Sequence, residues 1–332
     1  MAVPSRVCRC QGHPSTVLPM VQPPGPGWGG IGVRQRTIAE KVSCTGTGLH
    51  TGAPVQLTLR PAHAGTGIVF IRTDIDPRFE IPARAAWVAS TRFATTLRRE
   101  NVAVGTVEHL LAALFGLEID NVRVEIDGPE LPVMEGSAAS FVYLVRSAGV
   151  FRQREPRRTL HLRRGIEVGE GSRRISIEPA REFQVRYEIE FDHPAIRRQE
   201  LNLDSLDPGS FEREIAGART FGFLHEVDAL RKSGFARGAS LDNTVVLDDQ
   251  RVLNPDGLRW PDEFVRHKVL DLFGDLALLG ARITGRVRAQ RAGHALHQQL
   301  VSAILSTPDA WRLDHRDSGI ASALGLPHFR SA

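Results

Sequence analysis

Glu108-His109-Leu110-Leu111-Ala112-Ala113-Leu114-Phe115-Gly116 and Arg266-His267-Lys268-Val269-Leu270-Asp271-Leu272-Phe273-Gly274 follow one pattern. In each, a charged residue and a histidine open an apolar run that closes, at the same interval, on Phe-Gly. A duplicated α+β unit would leave such an echo, with one histidine delivered by each copy. Residues 101–117 are expected to contain a helix, because Val107, Leu110, Leu111 and Leu114 form an apolar stripe and Gly116 stands at a C-cap position. Pro261-Asp262-Glu263 is a helix-start signal, which predicts a helix over about 261–279.

Strand patterns surround these helices. Alternation predicts strands at 55–59, 67–71 and 121–126, the last turned by Asp127-Gly128. Ser137 can cap a second helix running to about Ala148. The second half repeats this arrangement, with strands at 174–178, 183–191 and 282–289 and then a helix from about His294 to Leu305.

The 332 residues are 42% hydrophobic and 24% charged, ordinary values for a globular protein. No apolar run approaches the ~20 residues that span a bilayer, so no stable membrane insertion is expected. Arg6 and Arg9 have no apolar stretch behind them, so no secretory leader and a cytoplasmic location are expected. Residues 1–33, rich in Pro, Gly and Ser, are expected to be disordered. The net charge of +4 is carried almost wholly by arginine, with Lys41, Lys232 and Lys268 the sole lysines. The run Arg152, Arg154, Arg157, Arg158, Arg163, Arg164 lacks the aromatic partners that nucleic-acid binding requires, so it is read as a solvated linker and first strand, and no nucleic-acid partner is expected. Cys8, Cys10 and Cys44 make no disulfide framework.

His267 and Asp271, four apart on a helix, share a face. That spacing is common on helices, but Asp275 extends the same face among Leu270, Leu272, Phe273 and Leu276, where carboxylates stay only if paired or metal-bound. A catalytic zinc takes three protein ligands and keeps one open position. His109, His267 and Asp271 would supply the three, and Glu108 beside them could take a proton from water. His294, which follows Gly293 at a helix start, could hold an oxyanion and protonate a leaving amine, kept cationic by Asp275. Gly293 suggests a close backbone approach, and His297 is read as a surface residue. No His-Glu-x-x-His is present.

These residues sit within QRTIAEKVSCTGTGLHTG (35–52), TVEHLLAAL (106–114), MEGSAASF (134–141), FDHP (191–194), RTFGF (219–223), GASLDN (238–243), DEFVRHKVLDLFGD (262–275) and GHAL (293–296). In this order they resemble the UDP-3-O-acyl-N-acetylglucosamine deacetylase family. The resemblance implies an α+β fold of two similar domains, each a β-sheet with two helices, packed helix layer to helix layer with the active site between them. The implied boundaries are 34–156 and 157–309, followed by a tail over 310–332. It implies Zn2+ on His109, His267 and Asp271, with Glu108 as general base and His294 as general acid, oriented by Asp275. Thr220 would offer its hydroxyl to the oxyanion, Lys268 and Arg291 would face the sugar nucleotide, and Phe191 would stack on uracil. An apolar passage around 224–241 would take the acyl chain. The implied activity is removal of acetate from an acylated UDP-N-acetylglucosamine, the committed step of lipid A synthesis, by a monomer. The family commonly has Asp where Glu135 stands, and His50 is read as structural or substrate-adjacent.

Overall fold

The computed structural model describes residues 33–314. The expected disordered extension, apart from Val33, lies outside the described residues, as do Cys8, Cys10 and the tail beyond Asp314. The chain is α+β, with six α-helices among the described residues: α1 (Glu108–Gly116), α2 (Ala139–Ala148), α3 (Pro208–Glu214), α4 (Val227–Lys232), α5 (Glu263–Leu276) and α6 (His294–Ser306).

Alternating residues build two main sheets. The five-stranded sheet runs in the order Val42–Thr47, Pro54–Pro61, Val122–Ile126, Ile68–Arg72, Glu80–Pro82. Its centre, Val122–Ile126, pairs antiparallel with Pro54–Pro61 and parallel with Ile68–Arg72. The seven-stranded sheet is wired the same way: Arg282–Gln290 pairs antiparallel with Arg173–Glu178 and parallel with Phe183–Phe191. Each central strand directly follows one of the two echo helices and precedes another helix. The short repeat in the sequence thus marks a repeat in topology.

The echo helices pack on each other. Phe115 and Phe273 stack with ring centroids 5.7 Å apart, and His109 meets His267 edge to face at 5.1 Å. Gly274 permits the contact, since a Cβ there would lie 2.2 Å from the Glu108 carbonyl oxygen. All nine residues of α1 are buried, so its packing extends on every side beyond the expected apolar stripe. Gly116 does not act through a special backbone angle. A glycine stands there because a side chain would strike the Phe211 ring, 2.2 Å from the site of a Cβ.

The other helix and strand boundaries lie within three residues of expectation. The second helix starts at Ala139, whose N–H donates to the Ser137 hydroxyl at 3.1 Å. The arginine run is less solvated than its composition suggests. Arg157 is buried, paired at 3.0 Å with both Glu118 and Asp120. The Glu135 carboxylate accepts from the Ser137 and Ser140 hydroxyls. Among the described residues no helix is long and apolar enough to cross a membrane.

Candidate active site

Helix α1 presents Glu108 and His109 at its first turn, and α5 presents His267, Asp271 and Asp275 one turn apart along one face. Because the helices cross at Gly274, these side chains converge in a buried space. One ligand atom each from His109, His267 and Asp271 lies within 4.8 Å of the others. Asp271 Oδ1 is 3.4 Å from His267 Nε2 and 3.8 Å from His109 Nε2. Ligands of a tetrahedral zinc stand about 3.4 Å apart, so the set suits that ion with little adjustment.

The hydrogen bonding and charge agree with that use. His267 Nδ1–H donates to the Ala218 carbonyl at 3.0 Å, which leaves the Nε2 lone pair facing Asp271. His109 Nδ1 is buried without a hydrogen-bond partner among the described residues. Burial, with His267 alongside, lowers the His109 pKa to about 3, and burial likewise lowers that of His267. Burial opposes ionisation of Asp271, but His267, Lys268 and His294 outweigh it and hold the carboxyl well below its usual range. The result is two neutral imidazoles and one carboxylate aimed at one point.

Glu108 and His294 flank that point. Burial raises the Glu108 pKa to about 7, against the pull of His294. Its Oε2 accepts from the Thr95 N–H at 3.0 Å, and its Oε1 lies 3.8 Å from His294 Nε2. Burial disfavours the His294 cation, but the carboxylates of Asp275, Asp271 and Glu108 prevail and raise its pKa to about 10. His294 Nδ1 donates to Asp275 Oδ2 at 2.7 Å, so Nε2–H points toward Glu108 and Asp271.

Asp275 is the hub of a network only partly visible in the sequence. Its Oδ1 accepts from the Thr95 hydroxyl at 2.6 Å and Gln298 at 3.3 Å, while Oδ2 accepts from both His294 and His297. His297 is therefore no surface residue. It is fully buried, donates from Nδ1 to Asp275 at 2.8 Å, and accepts at Nε2 from the Tyr187 hydroxyl at 2.9 Å. His297 follows His294 by three positions, which brings both onto the same helix face. Thr95, in a loop without a pattern, gave no signal; Tyr187, on the inward face of its strand, called for a buried partner. Gly293 has extended backbone with open space where a Cβ would stand, so the expected close approach is absent.

Phe191, Lys268 and Arg291 line one cavity of about 400 Å³. Lys268 Nζ also donates to Asp271 Oδ2 at 2.8 Å, and Phe191 meets the Phe221 ring edge to face at 5.7 Å. Thr220 lies between Ala218, which anchors His267, and Phe221, whose ring is 6.3 Å from His267. Around 224–241, Leu224 and Leu241 are exposed, and the Phe235 ring lies within about 5 Å of Phe93 and His50. His50 Nε2 is buried without a hydrogen-bond partner among the described residues.

Three donors that could hold a cation, beside a near-neutral acid and an imidazolium, make an arrangement of the kind metal-dependent hydrolases use. Residues 35–306 match the family described as UDP-3-O-acyl N-acetylglycosamine deacetylase, and the chain belongs to that family. A Myxococcus xanthus (strain DK1622) protein named UDP-3-O-acyl-N-acetylglucosamine deacetylase is 51% identical over 84% of this chain and 88% of its own length. Proteins of the same name from Anaeromyxobacter sp. (strain Fw109-5) and Coxiella burnetii (strain Dugway 5J108-111) are 47% and 44% identical, over 88% and 85% of this chain and 97% and 93% of their own lengths.

Proposed function

We propose that this protein hydrolyses the N-acetyl group of UDP-3-O-(3-hydroxyacyl)-N-acetylglucosamine, giving the free amine and acetate, the committed step of lipid A biosynthesis, with Zn2+ held by His109, His267 and Asp271. The observation that carries the reading is the convergence of those three donors beside Glu108 and His294. The donor set favours zinc: two neutral imidazoles and a carboxylate at near-tetrahedral spacing, with the His267 Nε2 lone pair free because Nδ1 carries the proton.

When bound, the zinc supplies Lewis acidity to the acetamide carbonyl and makes a water molecule more acidic. Glu108, poised near neutrality, takes the water's proton at Oε1. The attack places negative charge on the carbonyl oxygen. His294 Nε2–H donates to that oxygen, and the Thr220 hydroxyl, which bonds no described residue, is free to do the same. His294 then gives its proton to the departing amine. Asp275 holds the imidazolium in place throughout. Lys268, Arg291 and Phe191 line a cavity that suits a diphosphate and a base.

The repeated wiring of the two main sheets supports a division into like units at 34–156 and 157–309, with the site where α1 meets α5. Every group named comes from one chain, so a monomer suffices, and a nucleotide-sugar substrate suits a cytoplasmic enzyme. The test is acetate release from the acylated UDP-sugar by zinc-loaded protein. Glu108→Gln should keep zinc and lose most turnover, whereas His267→Ala should lose the metal. No acetate release from the wild type would overturn the assignment. Release that UDP fails to inhibit would point instead to an amide of another amino sugar.

A further inference from the structure

A second cavity, of about 60 Å³, lies at the C-terminal ends of α1 and α5, and none of the catalytic side chains lines it. Three arginines line it: Arg84, Arg158 and Arg282. Arg282 is engaged. It donates to the Phe115 carbonyl, covers the Phe115 ring at 4.3 Å and lies 3.8 Å from Glu118. The guanidinium groups of Arg84 and Arg158 make no hydrogen bond or ion pair with any described residue.

The nearby carboxylates are already committed. Asp120 accepts from Arg157 and from the Arg36 N–H, and Glu118 pairs with Arg36 and Arg157 at 3.0 Å each. Arg84 is also pinned. Its guanidinium lies across two glycines that lack the side chain to exclude it. A Cβ on Gly280 would fall 0.9 Å from Arg84 Nη1, and one on Gly67 would fall 3.3 Å from Nη2. Both glycines have positive φ, at +71° and +74°. Burial, and the Arg158 charge, lower the Arg84 pKa to about 10. Two like charges held together without an ion-paired partner among the described residues repel each other, and a bound anion relieves that repulsion. The space takes a few waters or one tetrahedral oxyanion.

We propose that Arg84 and Arg158 form a binding site for a phosphate-class oxyanion, separate from the substrate cavity. Its walls include Phe115 at the end of α1 and Ala277 and Gly280 just after α5, so an anion there would tie the C-terminal end of α1 to the segment that follows α5.

The test uses zinc-loaded full-length protein and inorganic phosphate as the probe, at constant ionic strength against chloride. Expected is a saturable rise in melting temperature, with apparent affinity roughly tenfold weaker in Arg84→Gln and in Arg158→Gln. Both variants should keep wild-type acetate release without phosphate, which also shows that they fold. Lys268→Ala, which alters the substrate cavity, should leave the phosphate-induced shift intact. A shift lost in Lys268→Ala but kept in the two arginine variants would place phosphate in the substrate cavity and overturn the proposal. So would the absence of any saturable shift in the wild type, which would mean a water-filled recess.

Discussion

Adding a single methyl group at Gly274 should damage the site more than the fold. The Cβ of Gly274→Ala would stand 2.2 Å from the Glu108 carbonyl oxygen and 2.8 Å from its carbonyl carbon and Cα, where ordinary contact begins at 3.4 Å. The obstacle is helix backbone, which cannot rotate aside, so α1 and α5 must part by roughly 1 Å. Overpacking of this kind costs about 1–3 kcal/mol, and the better helix propensity of alanine returns up to about 1 kcal/mol. At about 2–4 °C per kcal/mol, the melting temperature should drop by only a few degrees. The site fares worse, because Glu108 and His109 ride on α1 while His267 and Asp271 ride on α5. Metal–ligand distances tolerate about 0.2 Å, and a misplacement of about 1 Å costs on the order of a hundredfold in rate. Thermal melting, chelator competition for zinc and acetate release should therefore separate: small loss in the first, large losses in the other two. A Gly274→Ala protein with wild-type zinc affinity and turnover would refute the view that this crossing sets the geometry.

Three further outcomes are expected. First, kcat/KM should rise with pH as Glu108 loses its proton, near the value of about 7, and fall as His294 loses its own, near about 10. A bound dication lowers both limbs, and a profile that does not fall on the acid side would remove Glu108 from its role. In the metal-free protein the His294 pKa lies above its ordinary value near 6.5, so its stabilisation is complete below that pH and lost as pH rises through about 10; denaturant titrations of wild type against His294→Gln should converge at high pH. Second, Tyr187→Phe leaves His297 Nε2 buried without its donor, which should cost about 1–3 kcal/mol in denaturant unfolding, and no measurable loss would show that the bond carries nothing. Third, removing zinc by chelation should abolish turnover and lower the melting temperature, with both restored by stoichiometric zinc; full activity after complete removal would exclude the metal from catalysis.

Periodicity makes the helices and strands legible, because burial on one face leaves a trace in every third, fourth or second residue. The echo around His109 and His267 is legible for a different reason: both copies must bury a Phe against the other and keep a Gly at a tight contact. What the sequence hides is long-range. Thr95 bridges Glu108 and Asp275 from a loop with no pattern of its own. His297 reads as a helix position facing water, and only the arrival of Tyr187 from a strand 110 residues earlier makes it a buried partner of Asp275. Local rules mislead at Gly116 and Gly293, since a glycine's purpose depends on what approaches it. At Gly116 that is Phe211, and at Gly293 it is nothing.

Anomalous scattering at the zinc edge, from crystals of the zinc-loaded protein, would locate the ion without reference to activity. One strong peak is expected, about 2.0–2.2 Å from His109 Nε2, His267 Nε2 and an Asp271 oxygen. A peak seated instead among Asp275, His294 and His297, the other group of described residues that could hold an ion, or no peak between α1 and α5, would show that the three donors do not form the metal centre.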